Sequence, residues 1–127
     1  MSELKQSIVI FALGAVGYSV LEILWRGFTH WSMGLAGGIC FLLIYWMGVW
    51  LPSLGRLERC LTGALVITGV ELLFGYIFNL RLGWNIWDYS SRPFNFMGQI
   101  CLLYTVLWFF LCLPITFLGD YLKNHLT

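Results

Sequence analysis

Four long apolar runs fill almost all of this 127-residue chain, and they leave few choices of fold. A bilayer core of about 30 Å is crossed by roughly 20 apolar residues in a helix. Backbone polar groups at that depth must be satisfied within the segment, which favours helices over open strands. Helices are expected at about 7–25, 32–51, 60–80 and 96–118, with a polar connection over 81–95. Only 10% of the residues are charged against 60% hydrophobic, whereas soluble domains carry about 25% charged. The expected fold is an all-α integral membrane protein: four transmembrane helices in a single transmembrane domain spanning residues 1–127, with no room for a separate soluble domain.

Charge and cysteine usage exclude other classes. A formal net charge of +1 gives no basic patch for nucleic acid. Cys40, Cys60, Cys101 and Cys112 lie in or beside apolar runs without CxxC spacing, so buried thiols are expected rather than a metal knuckle or disulfide framework. No cofactor is called for, and a metal is neither indicated nor excluded. Lys5 precedes an apolar run containing Gly14, Ala15 and Gly17, the outline of a cleavable signal. The run continues through Val20, Leu21, Ile23, Leu24 and Trp25, so a retained first transmembrane helix is expected.

Along the chain, Trp25 and Trp31 bracket the first connection at headgroup level, as aromatic-belt residues do. The second helix opens with Gly34-x-x-x-Gly38, a spacing that lets backbones approach closely. In the third, Ala64, Thr68, Glu71 and Gly75 share one face by their three- and four-residue spacing. Pro114 is expected to kink the fourth helix near its end, and the tail from Asp120 to Thr127 is expected to continue it. Lys5, Arg56, Arg59 and Lys123 fall on the side shared by both termini, against Arg26, Arg81 and Arg92 opposite. Four against three places the termini in the cytoplasm.

A faint internal repeat runs through the chain. Glu22-Ile23-Leu24-Trp25 reads like Glu71-Leu72-Leu73-Phe74, and Gly38-Ile39-Cys40-Phe41 like Gln99-Ile100-Cys101-Leu102. Glutamate and cysteine are 18 residues apart in the first half and 30 in the second. Two parallel-repeat hairpins would be related by an axis along the membrane normal, with Glu22 and Glu71 as equivalent positions. Chance resemblance between leucine-rich helices is the competing explanation.

The ionisable residues inside these runs carry the functional signal. A charged side chain at the bilayer centre costs at least about 2.5–3.5 kcal/mol. Glu22 has Arg26 four residues on, in the favourable Glu-then-Arg order, so a pair that neutralises a helix end competes with a functional role. Glu71 has no basic residue three or four positions away. It must find Arg26, His30, Arg81 or Arg92 across the bundle, take up a proton, or face water. His30 is more simply a surface residue than a ligand.

The polar stretch from Trp87 to Asn95 is the remaining candidate, as the lid or lining of a site. Asp88 could accept Ser90 or Ser91 donors in an Asx-type turn, Arg92 could pair with Asp88, and the aromatic residues around them suit interfacial anchoring. No Walker-type loop, H-E-x-x-H, nucleophile elbow or dinucleotide fingerprint occurs, so an enzyme is not expected.

Several of these residues resemble one known family. Gly17-Tyr18 with Glu22, Gly69-Val70-Glu71, Trp87-Asp88-Tyr89-Ser90, Pro93-Phe94-Asn95, Gly98, Ile100-Cys101-Leu102-Leu103 and Trp108 are similar to the bacterial membrane family of CmpB type, named for putative ABC-transporter permeases. The resemblance covers most of the second half and parts of the first. It implies a transporter-like protein of the bacterial cytoplasmic membrane and makes Asp88 and Asn95 specific site candidates. Members carry a longer, Pro-rich first connection, where this chain has Arg26-Gly27-Phe28, and often Arg where Gln99 stands. An ABC transporter also requires nucleotide-binding domains.

The leading expectation is therefore a small transporter- or channel-like membrane protein with a ligand or ion site built from Glu22, Arg26, Glu71, Asp88, Arg92 and Asn95 near one membrane face. Its partners would be the lipid bilayer and a second copy, held through the glycine-rich faces of the first two helices, or a larger membrane protein. The alternatives are a non-transporting accessory subunit and a lipid-interacting protein.

Overall fold

A computed structural model describes residues 2–126. Four helices in it are long and apolar enough to cross a membrane. They are α1 (Glu3–Arg26), α2 (Trp31–Trp50), α3 (Arg56–Phe74), which runs on as a π-helical segment over Gly75–Arg81, and α4 (Leu102–Leu126). Two short strands, β1 (Asn95–Phe96) and β2 (Ile100–Cys101), form an antiparallel hairpin just before α4. The fold class is the one the apolar runs require: a multi-pass, all-α membrane protein.

Local chemistry sets the helix ends. The Ser2 hydroxyl accepts the Lys5 N–H and starts α1. Gly27, at φ 85°, ends it with its N–H on the Ile23 carbonyl. His30 caps α2: its Nδ1 accepts the Ser32 N–H at 3.2 Å and lies 2.8 Å from the Ser32 hydroxyl. Its ring also packs against Trp31 and Trp84, so this histidine is a structural cap and anchor.

Three helix starts differ from the sequence expectation. The first helix starts at Glu3 instead of residue 7, where the Ser2 cap sets it. The third helix starts at Arg56 instead of residue 60, which brings Arg56 and Arg59 into the helix and within reach of Asp120. The fourth starts at Leu102 instead of residue 96. Asn95 is the physical cause: its Oδ1 accepts the Gly98 N–H and its Nδ2 donates to the Arg92 carbonyl. Met97 and Gly98, at φ 57° and 72°, close the turn. Left-handed residues cannot continue a right-handed helix. Pro114 lies inside α4, and the helix continues through Asp120 to Leu126 as expected of the tail; Thr127 is outside the described residues.

The bundle is assembled around α2. Some 56% of its spanning window is buried, against 17% for α1 and α4, which places α2 centrally and turns the other two toward lipid. Glycine makes the α1–α2 contact. A Cβ on Gly14 would stand 2.6 Å from the Phe41 Cβ, and one on Gly37 2.5 Å from the Tyr18 Cβ. Gly34 and Gly38 meet Ser19 and Phe11 in the same way. These glycines are consumed within the chain, so they do not present the open face on which a dimer was expected to form; Gly17 does stay open.

The second hairpin pairs α3 with α4. Thr68 and Thr105 hydroxyls are 2.9 Å apart, and the Cys112 sulfur sits where a Gly63 Cβ would be. At the end carrying both termini, Arg56 and Arg59 both bind the Asp120 carboxylate, at 2.9 and 3.0 Å. There Tyr45 also donates to Gln6 and Trp46 to Ser7. By contrast α1 and α4 barely touch along most of their length, and this gap positions the site.

Candidate functional site between α1 and α4

Two adjoining cavities occupy the gap. The deeper one, of about 320 Å³, is walled by apolar side chains such as Leu13, Ile44, Ile67 and Ile115, and Glu71 is its one charged lining residue. The other, of about 260 Å³, is lined by Glu22, Trp25, Arg26, Tyr89, Tyr104 and Leu107. Tyr18, Leu21, Met33, Trp108 and Leu111 border both. Because Leu13, Leu21 and Leu118 are exposed, the gap opens sideways between the outer helices, toward the lipid of a bilayer.

Glu71 projects from α3 and is 8% exposed. Its spacing with Ala64, Thr68 and Gly75 does put all four on the face turned to α4 and the connection, as the helix periodicity implies. Its partners are neutral donors: the Tyr89 hydroxyl donates to Oε2 at 2.9 Å and the Trp108 indole N–H to Oε1 at 3.3 Å. None of the cationic partners expected for it forms an ion pair with it among the described residues. Arg92 instead stacks over Tyr104, 5.3 Å from the ring centroid, and Arg81 lies near Tyr76.

Glu22 is also buried, at 6% exposure. It pairs with Arg26 at 3.3 Å, the local pair that the i,i+4 spacing suggested. The geometry leaves the Arg26 Nε and Nη2 and the Glu22 Oε1 without a well-formed hydrogen bond among the described residues. Arg26 also reaches the Ile86 carbonyl at 3.5 Å and covers the Phe28 ring, fastening the end of α1 to the connection. Glu22, Arg26 and Glu71 are thus brought to one gap.

Asp88, Arg92 and Asn95 line neither cavity. Asp88 is exposed and accepts the Ser90 N–H at 2.9 Å. Ser90's side chain and backbone donors hold its carboxyl below the usual range, as hydrogen bonds to the charged form do. Asp88 therefore makes the Asx-type turn, and Asn95 shapes the hairpin. These residues hold the connection that carries Tyr89 inward. Burial, and next the adjacent Glu71 charge, push the Tyr89 phenol up from its ordinary value, so its hydroxyl keeps its proton and remains a donor.

The connection is fastened by a further polar chain. Asn79 Nδ2 donates to Gln99 Oε1 at 2.9 Å, Asn79 Oδ1 accepts the Ile86 N–H, and Trp87 Nε1 donates to the Gln99 carbonyl at 2.9 Å. Gln99, 3% exposed, rests on Gly75, where a Cβ would stand 2.5 Å from Oε1. The π-helical widening starts at that glycine, and π-bulges often mark functional sites.

Sequence reasoning did not single out Tyr89 and Trp108 as partners of Glu71, nor Tyr18 as a residue lining both cavities. One signal existed for Tyr18, which lies four residues before Glu22 and so on its face. Among the described residues no three His, Cys, Asp or Glu side chains cluster to hold a metal ion, and the four thiols are free.

Residues 7–126 match the model of the family described as "Putative ABC-transporter type IV", of CmpB type. The chain belongs to this family. The match spans all four helices and both cavities, and with the four spanning-capable helices it makes the protein a multi-pass membrane member of an ABC-transporter-type family. No curated protein and no solved structure matches the chain.

Proposed function

We propose that this CmpB-type protein is a transporter-like membrane component whose substrate enters sideways from the bilayer, between α1 and α4, and meets Glu71. One observation carries the reading: a buried carboxylate with only neutral partners faces an apolar cavity that is open toward lipid. An ionisable group at such depth costs several kcal/mol, so its presence there points to a function. The Glu22–Arg26 pair stands at the polar end of the same gap and gives it a second charged feature. On this reading the protein binds and passes its substrate without chemical transformation.

Four helices enclose little volume, so a complete path would be shared with a second copy or with a larger membrane partner. Lys5, Arg56, Arg59 and Lys123 at the terminal end, against Arg26, Arg81 and Arg92 opposite, support cytoplasmic termini by the positive-inside rule.

The test is flux in liposomes containing the purified protein, assayed for protons, monovalent cations and small solutes. Wild-type flux that is lost in Glu71→Gln supports the proposal. Absence of flux, together with co-purification of a larger membrane protein, supports the accessory-subunit reading in its place.

A further inference from the structure

The seam between the two cavities is walled by a run of aromatic rings. Tyr89 and Tyr104 stack at 4.8 Å, Tyr104 lies 5.9 Å from Trp108, and Trp108 lies 6.3 Å from Tyr18. Tyr18, Tyr104 and Trp108 line the cavity with Glu22 and Arg26. The first and third of these also border the deeper cavity with Glu71. Tyr18 lines both the cavity that holds Glu22 and Arg26 and the one that holds Glu71, which places it between the three charges.

Among the residues that line the two cavities one carboxylate is left over; the Arg92 guanidinium lies behind the wall, over the Tyr104 ring, and lines neither cavity. Arg26 is matched by Glu22 at 3.3 Å, and Glu71 has no ion pair among the described residues. Each Glu71 oxygen accepts one hydrogen bond, whereas a carboxylate offers about four acceptor positions. Aromatic faces attract cations, most strongly when water is excluded. Beyond the rings, the wall is made of Leu13, Cys40, Ile44, Ile67 and Ile115, which offers a strongly hydrated cation such as sodium nothing in place of its water. Of the residues lining the cavities, Arg26 is the one that would draw an anion, since its Nη2 has no hydrogen-bond partner among the described residues. It lines only the outer cavity, however, and Glu71 bars the way to the apolar one.

We propose that the seam binds lipophilic cations: an ammonium or phosphonium centre held by Glu71 and the rings of Tyr18 and Trp108, with its apolar substituents in the α1–α4 gap. The inference rests on the reading of that gap as a substrate site and names the substrate class. Lateral entry suits such molecules, because they concentrate in the bilayer before reaching the protein.

The test compares two probes of the same shape and opposite charge, tetraphenylphosphonium and tetraphenylborate. Equilibrium dialysis against the protein in phosphatidylcholine nanodiscs, with empty nanodiscs subtracted, measures the bound fraction. Saturable binding of the phosphonium and none of the borate is expected. Glu71→Gln is expected to weaken phosphonium binding about tenfold or more, and Tyr18→Leu by about three- to thirtyfold, the range from an exposed to a desolvated cation–π contact. Circular dichroism checks that each variant is folded, and if neither folds the wild-type pair of probes decides alone.

Borate binding as tight as phosphonium overturns the proposal, as does the lack of saturable phosphonium binding or an unchanged Kd in folded Glu71→Gln. Phosphonium binding without liposome flux keeps this proposal and removes the transport reading. Flux of another solute without phosphonium binding does the reverse.

Discussion

Gly75→Ala is the sharpest structural perturbation available, because one methyl group reaches every fastening of the connection. The added Cβ would stand 2.5 Å from Gln99 Oε1 and 2.9 Å from Gln99 Cβ. Gln99 is 3% exposed and cannot simply swing into solvent. Overpacking of this kind costs about 1–3 kcal/mol. Displacing Gln99 also breaks the Asn79–Gln99 bond at 2.9 Å and strains the Trp87–Gln99 bond at 2.9 Å, each worth about 1 kcal/mol net. Alanine returns about 1 kcal/mol as the better helix former. The net expectation is a loss of about 2–4 kcal/mol.

A double-mutant cycle with Gln99→Ala separates the clash from the lost hydrogen bonds. Removing the glutamine side chain gives the new methyl room, so the double variant should be less destabilised than the sum of the singles. Reversible unfolding in detergent, followed by tryptophan fluorescence, measures each stability. Hydrogen exchange over residues 82–101 locates the change, which should be loosened there and little altered in α1. A neutral Gly75→Ala, or strict additivity in the cycle, would refute the argument that Gln99 wedges the π-helical segment.

Other consequences follow from the clamp and the Asx turn. Asp120→Ala strands the Arg59 guanidinium, whose residue is 8% exposed, and should cost about 1–3 kcal/mol, read as a lower unfolding midpoint with the α1–α2 contacts intact. Asp88's folded pKa is depressed by the Ser90 donors, so its contribution is fully present above the unfolded value and is lost as pH falls through the folded one. Hydrogen-exchange protection at Ser90 should therefore hold from neutral pH down to about 4, near the unfolded aspartate value, and fall below it; Asp88→Asn should abolish that dependence.

Much of the fold was legible because it follows from length and spacing. The apolar runs specify the helices, and three- and four-residue intervals put Ala64, Thr68, Glu71 and Gly75 on one face. The i,i+4 rule gave the Glu22–Arg26 pair. What stayed hidden depended on partners distant in sequence or on side chains that mimic backbone. The late start of α4 comes from Asn95 bonding the Gly98 N–H and from left-handed Met97, which an apolar run does not advertise. The π-helical segment pairs with Gln99, 24 residues after Gly75. Glu71 was expected to find a cation, take up a proton or face water, yet its donors are a phenol and an indole from two other segments. Ion-pair logic from sequence weighs charges and overlooks neutral donors.

The central claim is that Glu71 is reached from the bilayer through the gap between α1 and α4. A hydrophobic carbodiimide partitions into lipid and modifies carboxyl groups that it can reach there, and mass spectrometry reads the adduct residue by residue. Gly17→Trp supplies the control, since Gly17 lines the deeper cavity and nothing lies within 4 Å of its Cβ position, which leaves a bulky side chain room to start into the gap. The expected result is an adduct on Glu71 in the wild type that is largely lost in folded Gly17→Trp. An unmodified Glu71 in the wild type, or equal modification in both proteins, would contradict it.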